Sequence, residues 1–326
     1  MGELTTPVTI GALWRQWRDV LAENGSPSAV IDAKRLTAHA LGLGDLDLAV
    51  RERDVVDAGA AARVEALMQR RLTGESVARI IGEREFYGLA FALNPATLEP
   101  RPETELLVDM ALTALPPGGR LLDLGTGTGC IPIAVLANRP DATAVAVDLS
   151  EEALDAARAN AERHGVAERI AFLQGSWFEP LAHPPPNLPR KGGGAASSVS
   201  GDPAQGTEAH LPPCGGGREG GGRGAFHLIV SNPPYIASAV VPTLSPEVRA
   251  FDPALALDGG PDGLAPYRII AAEAPLHLAF GGGLLVEIGY DQGDAVAAIL
   301  ARQGWRDIAV HKDLAGLDRV VSAHHL

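Results

Sequence analysis

Cysteine is scarce in this chain, with two in 326 residues. Cys130 and Cys214 lie outside any CxxC or Cys/His cluster. No zinc or other metal site is expected, nor a disulfide between the two, and a reducing cytoplasm is the simpler setting. Long apolar runs are also missing. No stretch reaches the ~18 residues that a membrane-spanning helix requires. The opening MGELTTPVTIGALW lacks a basic start, an apolar stretch and a small-residue cleavage site, so a signal peptide is not expected. Positive charge is in deficit. Lys and Arg number 27 against 40 Asp and Glu, a formal net charge of -13. Such a chain gains no general attraction to phosphate backbones, and direct nucleic-acid binding is disfavoured, although a local basic patch stays open. What remains is an ordinary soluble composition, long enough for one large domain and a smaller one.

Residues 1–80 read as helical. Leu13, Trp14, Trp17, Val20 and Leu21 share one helical face. A second helix is predicted from Ser28 to Leu41, closed by Gly42, and a third carries Val64, Leu67, Met68 and Leu72. Residues 81–105 change character: Phe86-Tyr87-Gly88-Leu89-Ala90-Phe91 predicts a short hairpin with Gly88 at or near its turn. In Glu99-Pro100-Arg101-Pro102-Glu103-Thr104-Glu105 the prolines fix an extended entry into a helix with carboxylates near its positive end. From residue 106 to 326, short apolar runs alternate with helical patterns. The runs are Leu121-Leu122, Val145-Ala146-Val147, Ile170-Ala171-Phe172-Leu173, Leu228-Ile229-Val230 and Leu284-Leu285-Val286. That alternation predicts an α/β domain whose parallel sheet is covered on both faces. Ile308-Ala309-Val310 and Val320-Val321 add an antiparallel pair at one edge. Residues 183–224 break the pattern. This segment holds 12 Gly and 7 Pro in 42 positions, too few apolar side chains to offset its ordering entropy, and is expected to be a disordered insertion.

The strand–loop–helix segment Asp123-Leu124-Gly125-Thr126-Gly127-Thr128-Gly129 lets the backbone turn sharply and a ligand approach without a Cβ in the way. Alone it fits a dinucleotide site, an S-adenosylmethionine site or a tight turn. The next strand ends at Asp148, 25 positions after Asp123. A carboxylate there can accept hydrogen bonds from both ribose hydroxyls, or serve only as a charge at the helix start. Trp177, after the third strand, can pack on an adenine face or in the core. Asn232 follows the fourth. Gly125, Asp148, Trp177 and Asn232 thus fall at the carboxyl ends of successive predicted strands, the rim where open α/β sheets bind ligands.

Asn232-Pro233-Pro234-Tyr235 supplies a chemistry. An amide or aromatic amine nitrogen is a poor nucleophile because its lone pair is delocalised. A site helps by accepting hydrogen bonds from the NH2 group as the lone pair turns toward a methyl donor. Asn232 offers a side-chain carbonyl, and the prolines offer main-chain carbonyls with no competing N–H. The residue before each proline is held extended, which fixes where those carbonyls point. Tyr235 can stack on the planar target. Acceptors preorganised around a nitrogen becoming positive stabilise the transition state, and in-line holding supplies the rest.

These segments together resemble the release factor glutamine methyltransferase family, within the seven-stranded, Rossmann-like class of S-adenosylmethionine-dependent methyltransferases. The resemblance spans nearly all of the chain outside 183–224. It rests on Arg101-Pro102-Glu103-Thr104-Glu105, Asp123 to Gly129, Val147-Asp148-Leu149-Ser150 and Asn232-Pro233-Pro234-Tyr235-Ile236. It also includes Phe251 to Gly260, with Asp262-Gly263-Leu264 and Tyr267-Arg268. The resemblance implies a helical N-terminal domain that helps hold a peptide chain release factor, joined by a hairpin to the catalytic domain. It implies methylation of the glutamine in a Gly-Gly-Gln motif. Gly125, Thr126, Gly127, Thr128, Gly129, Asp148, Trp177 and Asn232 would hold S-adenosylmethionine, and Asn232 to Tyr235 would hold the glutamine. Ser176 departs from the pattern, standing where many related methyltransferases carry an acid near the adenine amine. The alternative substrate is the exocyclic amine of adenine or cytosine in nucleic acid, which presents the same planar NH2 group but meets the wrong overall charge.

Overall fold

The computed structural model describes residues 8–182 and 226–325. The expected disordered insertion at 183–224, with Cys214, lies outside the described residues. The chain opens with α1 (Ile10–Glu23), α2 (Ala29–Leu41), α3 (Asp45–Val50), α4 (Ala58–Leu72) and α5 (Val77–Ile81). Side chains of Thr9, Asp57 and Ser76 cap α1, α4 and α5 by accepting from the backbone N–H of Ala12, Ala60 and Arg79, which satisfies donors that a helix start otherwise leaves open. Gly42 ends α2 at φ 65. Leu13, Trp17, Leu21, Leu36, Val64, Met68 and Ile80 close into one apolar cluster, as their helical spacing demands.

The hairpin follows as β1 (Glu83–Phe86) and β2 (Leu89–Ala92), with Phe86 paired to Leu89. Its two-residue loop, Tyr87-Gly88, takes φ 53 and 72, the mirror-image turn whose twist suits a hairpin. Phe86 and Phe91 point into the core of the sheet domain. Asn160 pins the hairpin there: its Oδ1 accepts from Ala92 N–H at 2.8 Å, and its Nδ2 reaches the carbonyl of Thr128 at 3.0 Å.

The remaining elements are α6 (Glu105–Ala114), β3 (Arg120–Leu124), α7 (Cys130–Asn138), β4 (Thr143–Asp148), α8 (Glu151–Arg163), β5 (Ile170–Gln174), β6 (Phe226–Ser231), α9 (Pro246–Phe251), α10 (Ala265–Glu273), β7 (Leu278–Glu287), α11 (Gly293–Arg302), β8 (Arg306–Lys312) and β9 (Asp318–His324). The seven-stranded sheet runs β5-β4-β3-β6-β7-β9-β8. Strands β5 to β7 are parallel, and β9 is antiparallel to both β7 and β8. Successive residues of β3 enter opposite cores, Leu121 toward α6 and α7, Leu122 toward α10 and α11. That two-sided burial is why the strands read as continuous apolar runs. The chain leaves β3 toward β4 on one side, while β6 returns on the other. The crevice between β3 and β6 is therefore the switch point at which such sheets bind ligands.

Candidate active site at the carboxyl rim of the sheet

A cavity of about 380 Å³ opens at this switch point. Gly125, Thr126, Gly127, Thr128, Asp148, Trp177, Asn232 and Pro234 all line it. The loop after β3 is held over the end of β4, with Gly125 and Thr126 N–H both donating to the Val147 carbonyl. Gly125 and Gly127 take φ 73 and 55, and a Cβ built on either would meet no protein atom within 4 Å. Space beside this backbone is left for something other than protein.

Asp148 works on the loop as well as on the cavity. One carboxylate oxygen accepts from Gly127 N–H at 2.8 Å and the other from Ser150 N–H at 2.9 Å. Burial pushes its pKa up, and the N–H groups of Ser150 and Gly127 pull it back. Ser150, not Asp148, caps α8 through Ala153 N–H. Each Asp148 oxygen keeps a lone pair for a further donor. Asp148→Ala is expected to weaken S-adenosylmethionine binding at least tenfold, because it removes the acceptors expected to hold the ribose and the tie to Gly127. Isothermal titration reads this directly, and unchanged affinity would refute the ribose role.

Three residues singled out from sequence sit elsewhere. Gly129 is where α7 packs on α8: a Cβ there would lie 2.8 Å from Ile133 and 3.2 Å from Ala157. Pro233 is buried and does not line the cavity. The half-buried Tyr235 packs against the apolar cluster under α10 and α11, and burial raises the pKa of its hydroxyl. Its ring is not part of the cavity wall, because the core cluster has claimed it.

The segment from Phe251 to Gly263 explains how the Asn232–Tyr235 loop keeps its shape. Ile236 N–H donates to Leu257 O, and Gly259 N–H donates back to Ile236 O. A Cβ on Gly259 would sit 2.7 Å from the Pro234 carbonyl, and one on Gly263, at φ 72, would strike the Tyr235 carbonyl. Gln292 Nε2 donates to the same Tyr235 carbonyl at 2.9 Å. The same segment turns Pro253, Leu255 and Ala256 into the cavity wall. Asp252, 5% exposed at its side chain, accepts from Arg79 of α5 at 2.8 Å and from Arg101 at 2.9 Å.

Several site residues escaped sequence reasoning. Leu149, 54% exposed, projects at the cavity beside Asp148; its place directly after the strand-ending acid was the available signal. Arg101, Thr104 and Glu99 also line the cavity. Behind it lie two buried acids. Burial pushes Asp123 up to about 7, with Thr126 pulling it down and Asp148 adding repulsion. Glu287, the last residue of β7, is likewise pushed up to about 7 by burial, with Thr104 drawing it down. The lining is acidic, with Glu99, Asp148 and Glu152 against Arg101 alone. That balance suits a ligand carrying sulfonium and ammonium charges with one carboxylate for Arg101, and disfavours the pyrophosphate of a dinucleotide. Among the described residues no group of acids, cysteines and histidines is placed to hold a metal, and no helix is long and apolar enough to cross a membrane.

Comparison with known proteins places this geometry in context. Residues 12–82 match the model described as the PrmC N-terminal domain, and residues 115–184 match a methyltransferase domain. A release factor glutamine methyltransferase of Agrobacterium fabrum is 39% identical over 94% of this chain and 93% of its own length. Its counterpart from Cereibacter sphaeroides is 41% identical over 93% of this chain and 94% of its own. Among solved structures, a release factor-specific protein-(glutamine-N5) methyltransferase from Alicyclobacillus acidocaldarius is 29% identical, covering 69% of this chain and 93% of that one at a TM-score of 0.36.

Proposed function

Because this chain belongs to the release factor glutamine methyltransferase family, we propose that its rim cavity is where a methyl group passes from S-adenosylmethionine to the glutamine of a release factor's Gly-Gly-Gln motif. The observation that carries this is the meeting of Asn232 with the Gly125–Thr128 loop and Asp148 in one acidic cavity. S-adenosylmethionine supplies an electrophilic methyl group on its sulfonium. The loop and Asp148 bind the nucleoside part, Leu149 and Trp177 offer flat apolar faces for the adenine, and Arg101 answers the carboxylate. Asn232 accepts from the glutamine NH2 through its side-chain carbonyl, which turns the nitrogen lone pair toward the methyl. The same Asn232 carbonyl stabilises positive charge growing on that nitrogen. No strong base is needed, because the nitrogen becomes acidic once alkylated.

The helical unit α1–α5 contributes a surface for the release factor, and the hairpin fixes it against the sheet. The setting is the cytoplasm, where release factors work. The test is transfer of labelled methyl from S-adenosylmethionine to a purified release factor, beside its Gln→Ala variant and a DNA control. Label on the wild-type factor alone is the expected result. Label on DNA, or on neither protein, would overturn the substrate.

A further inference from the structure

We propose that Thr104 and Glu287 are positioning residues that set which way round the Asn232 side-chain amide sits, its NH2 held toward the protein and its carbonyl oxygen toward the cavity. This rests on the role of Asn232 given above.

Three elements distant in sequence meet here. Thr104 ends the 3-10 turn that leads into α6, Asn232 follows β6, and Glu287 ends β7. Thr104 and Glu287 are each 2% exposed. Asn232 Nδ2 donates to Thr104 Oγ1 at 3.2 Å. The Glu287 carboxyl lies near both, and Thr104 and Asn232 each draw its pKa down against the larger effect of burial. A threonine hydroxyl has a single proton. With its oxygen taking the Asn232 N–H, that proton goes to Glu287. An ionised carboxylate only accepts, so the donors run one way, from Asn232 through Thr104 to Glu287. Turning the Asn232 amide over would set its carbonyl against two acceptors in a buried place. The orientation that remains is the one that chemistry at a glutamine NH2 requires, an acceptor facing the cavity.

Glu287 is also a poor residue for stability alone. Its Oε2 is buried with no hydrogen-bond partner among the described residues. An apolar side chain of similar volume would avoid that cost. The groups that face Glu287 are Arg319 on β9, Glu103 in the 3-10 turn, Tyr235 after β6, Tyr267 on α10 and Cys130 on α7. With its acid at about 7, Glu287 gains a proton, and becomes a donor, as the pH falls through neutrality. The one-way order is then lost.

The experiment compares wild type, Thr104→Val, Thr104→Ser and Glu287→Gln in full-length protein. It measures methyl transfer to a purified release factor, S-adenosylmethionine affinity by titration, and melting temperature. Thr104→Val is expected to lower kcat at least tenfold at pH 8, with cofactor affinity within threefold, and Thr104→Ser to restore kcat to within threefold. Wild-type kcat should fall on the acid side of about pH 7, and Glu287→Gln should be slow and lack that limb. Folded Thr104→Val and Glu287→Gln proteins with kcat within threefold of wild type would overturn the proposal. If Glu287→Gln fails to fold, the Thr104 pair decides. Orientation has its own readout in the Asn232 side-chain NH2 resonances. Protection from exchange in wild type that is lost in Thr104→Val supports it, and identical protection in both overturns it. Failure of wild type to label the release factor, with these resonances behaving as expected, would sink the substrate reading and leave the positioning intact.

Discussion

Asn232→Ala is expected to lower turnover on a release factor about a hundredfold, the scale on which removal of one preorganised polar group from a reacting centre is felt. The fold should survive. Asn232 is half-buried and its side chain makes a 3.2 Å bond to Thr104, so truncation leaves a hydroxyl that still has Glu287 beside it. Cofactor affinity should change far less than turnover, because in the proposed function the Gly125–Thr128 loop and Asp148 make most of that contact. Single-turnover kinetics at saturating S-adenosylmethionine would separate the two effects. A rate within threefold of wild type would remove Asn232 from the reaction.

The largest effect on stability is expected at Asp252. Its carboxylate joins Arg79 of the helical unit, Arg101 of the connecting segment, and the loop that carries Pro253 to Ala256 along the cavity wall. Arg79 is 7% exposed at its side chain and also donates to the carbonyls of Asn94 at 2.8 Å and Thr97 at 2.5 Å. Removing Asp252 leaves a buried guanidinium without its counter-charge, and such a loss costs about 3–5 kcal/mol. Asp252→Ala should therefore lower the denaturant midpoint strongly, and weaken cofactor binding as the wall segment loosens. Removing both buried charges, in Arg79→Met with Asp252→Leu, is expected to cost less than the single change, since the ion left without Asp252 is Arg101, whose side chain is 43% exposed to water. A single variant within 1 kcal/mol of wild type, a figure typical of exposed pairs, would show that Arg79 finds water or another partner.

The strands were legible because burial on both sheet faces makes them short, unbroken apolar runs. Leu121-Leu122 and Leu284-Leu285-Val286 fall inside β3 and β7 as expected. The hairpin was legible because Gly88, at φ 72, supplies the positive φ that its turn requires. Tyr235 packs against an apolar cluster that its local sequence does not reveal. Its neighbours in sequence suggest a stacking platform, but whether a ring faces a cavity or a core depends on α10 and α11, more than twenty residues away. Nothing in the sequence tied Thr104 or Glu287 to Asn232. A threonine after Pro-Glu and an acid ending an apolar strand are commonplace until β6 and β7 pair and bring them to Asn232.

The sequence by itself determined the α/β class, the helical start, the loop that leaves room for a ligand, and a motif suited to a planar nitrogen. Each of these depends on residues close together in the chain, where backbone preference and periodicity act directly. Tertiary structure alone decided the strand order that puts the switch point between β3 and β6. It also decided the ion cluster at Asp252, the glycine pair backing the Pro234 and Tyr235 carbonyls, and the buried acids behind the cavity. Those features come from contacts between distant segments. Their energies depend on burial and on the distance between charges, and neither exists before the chain has folded.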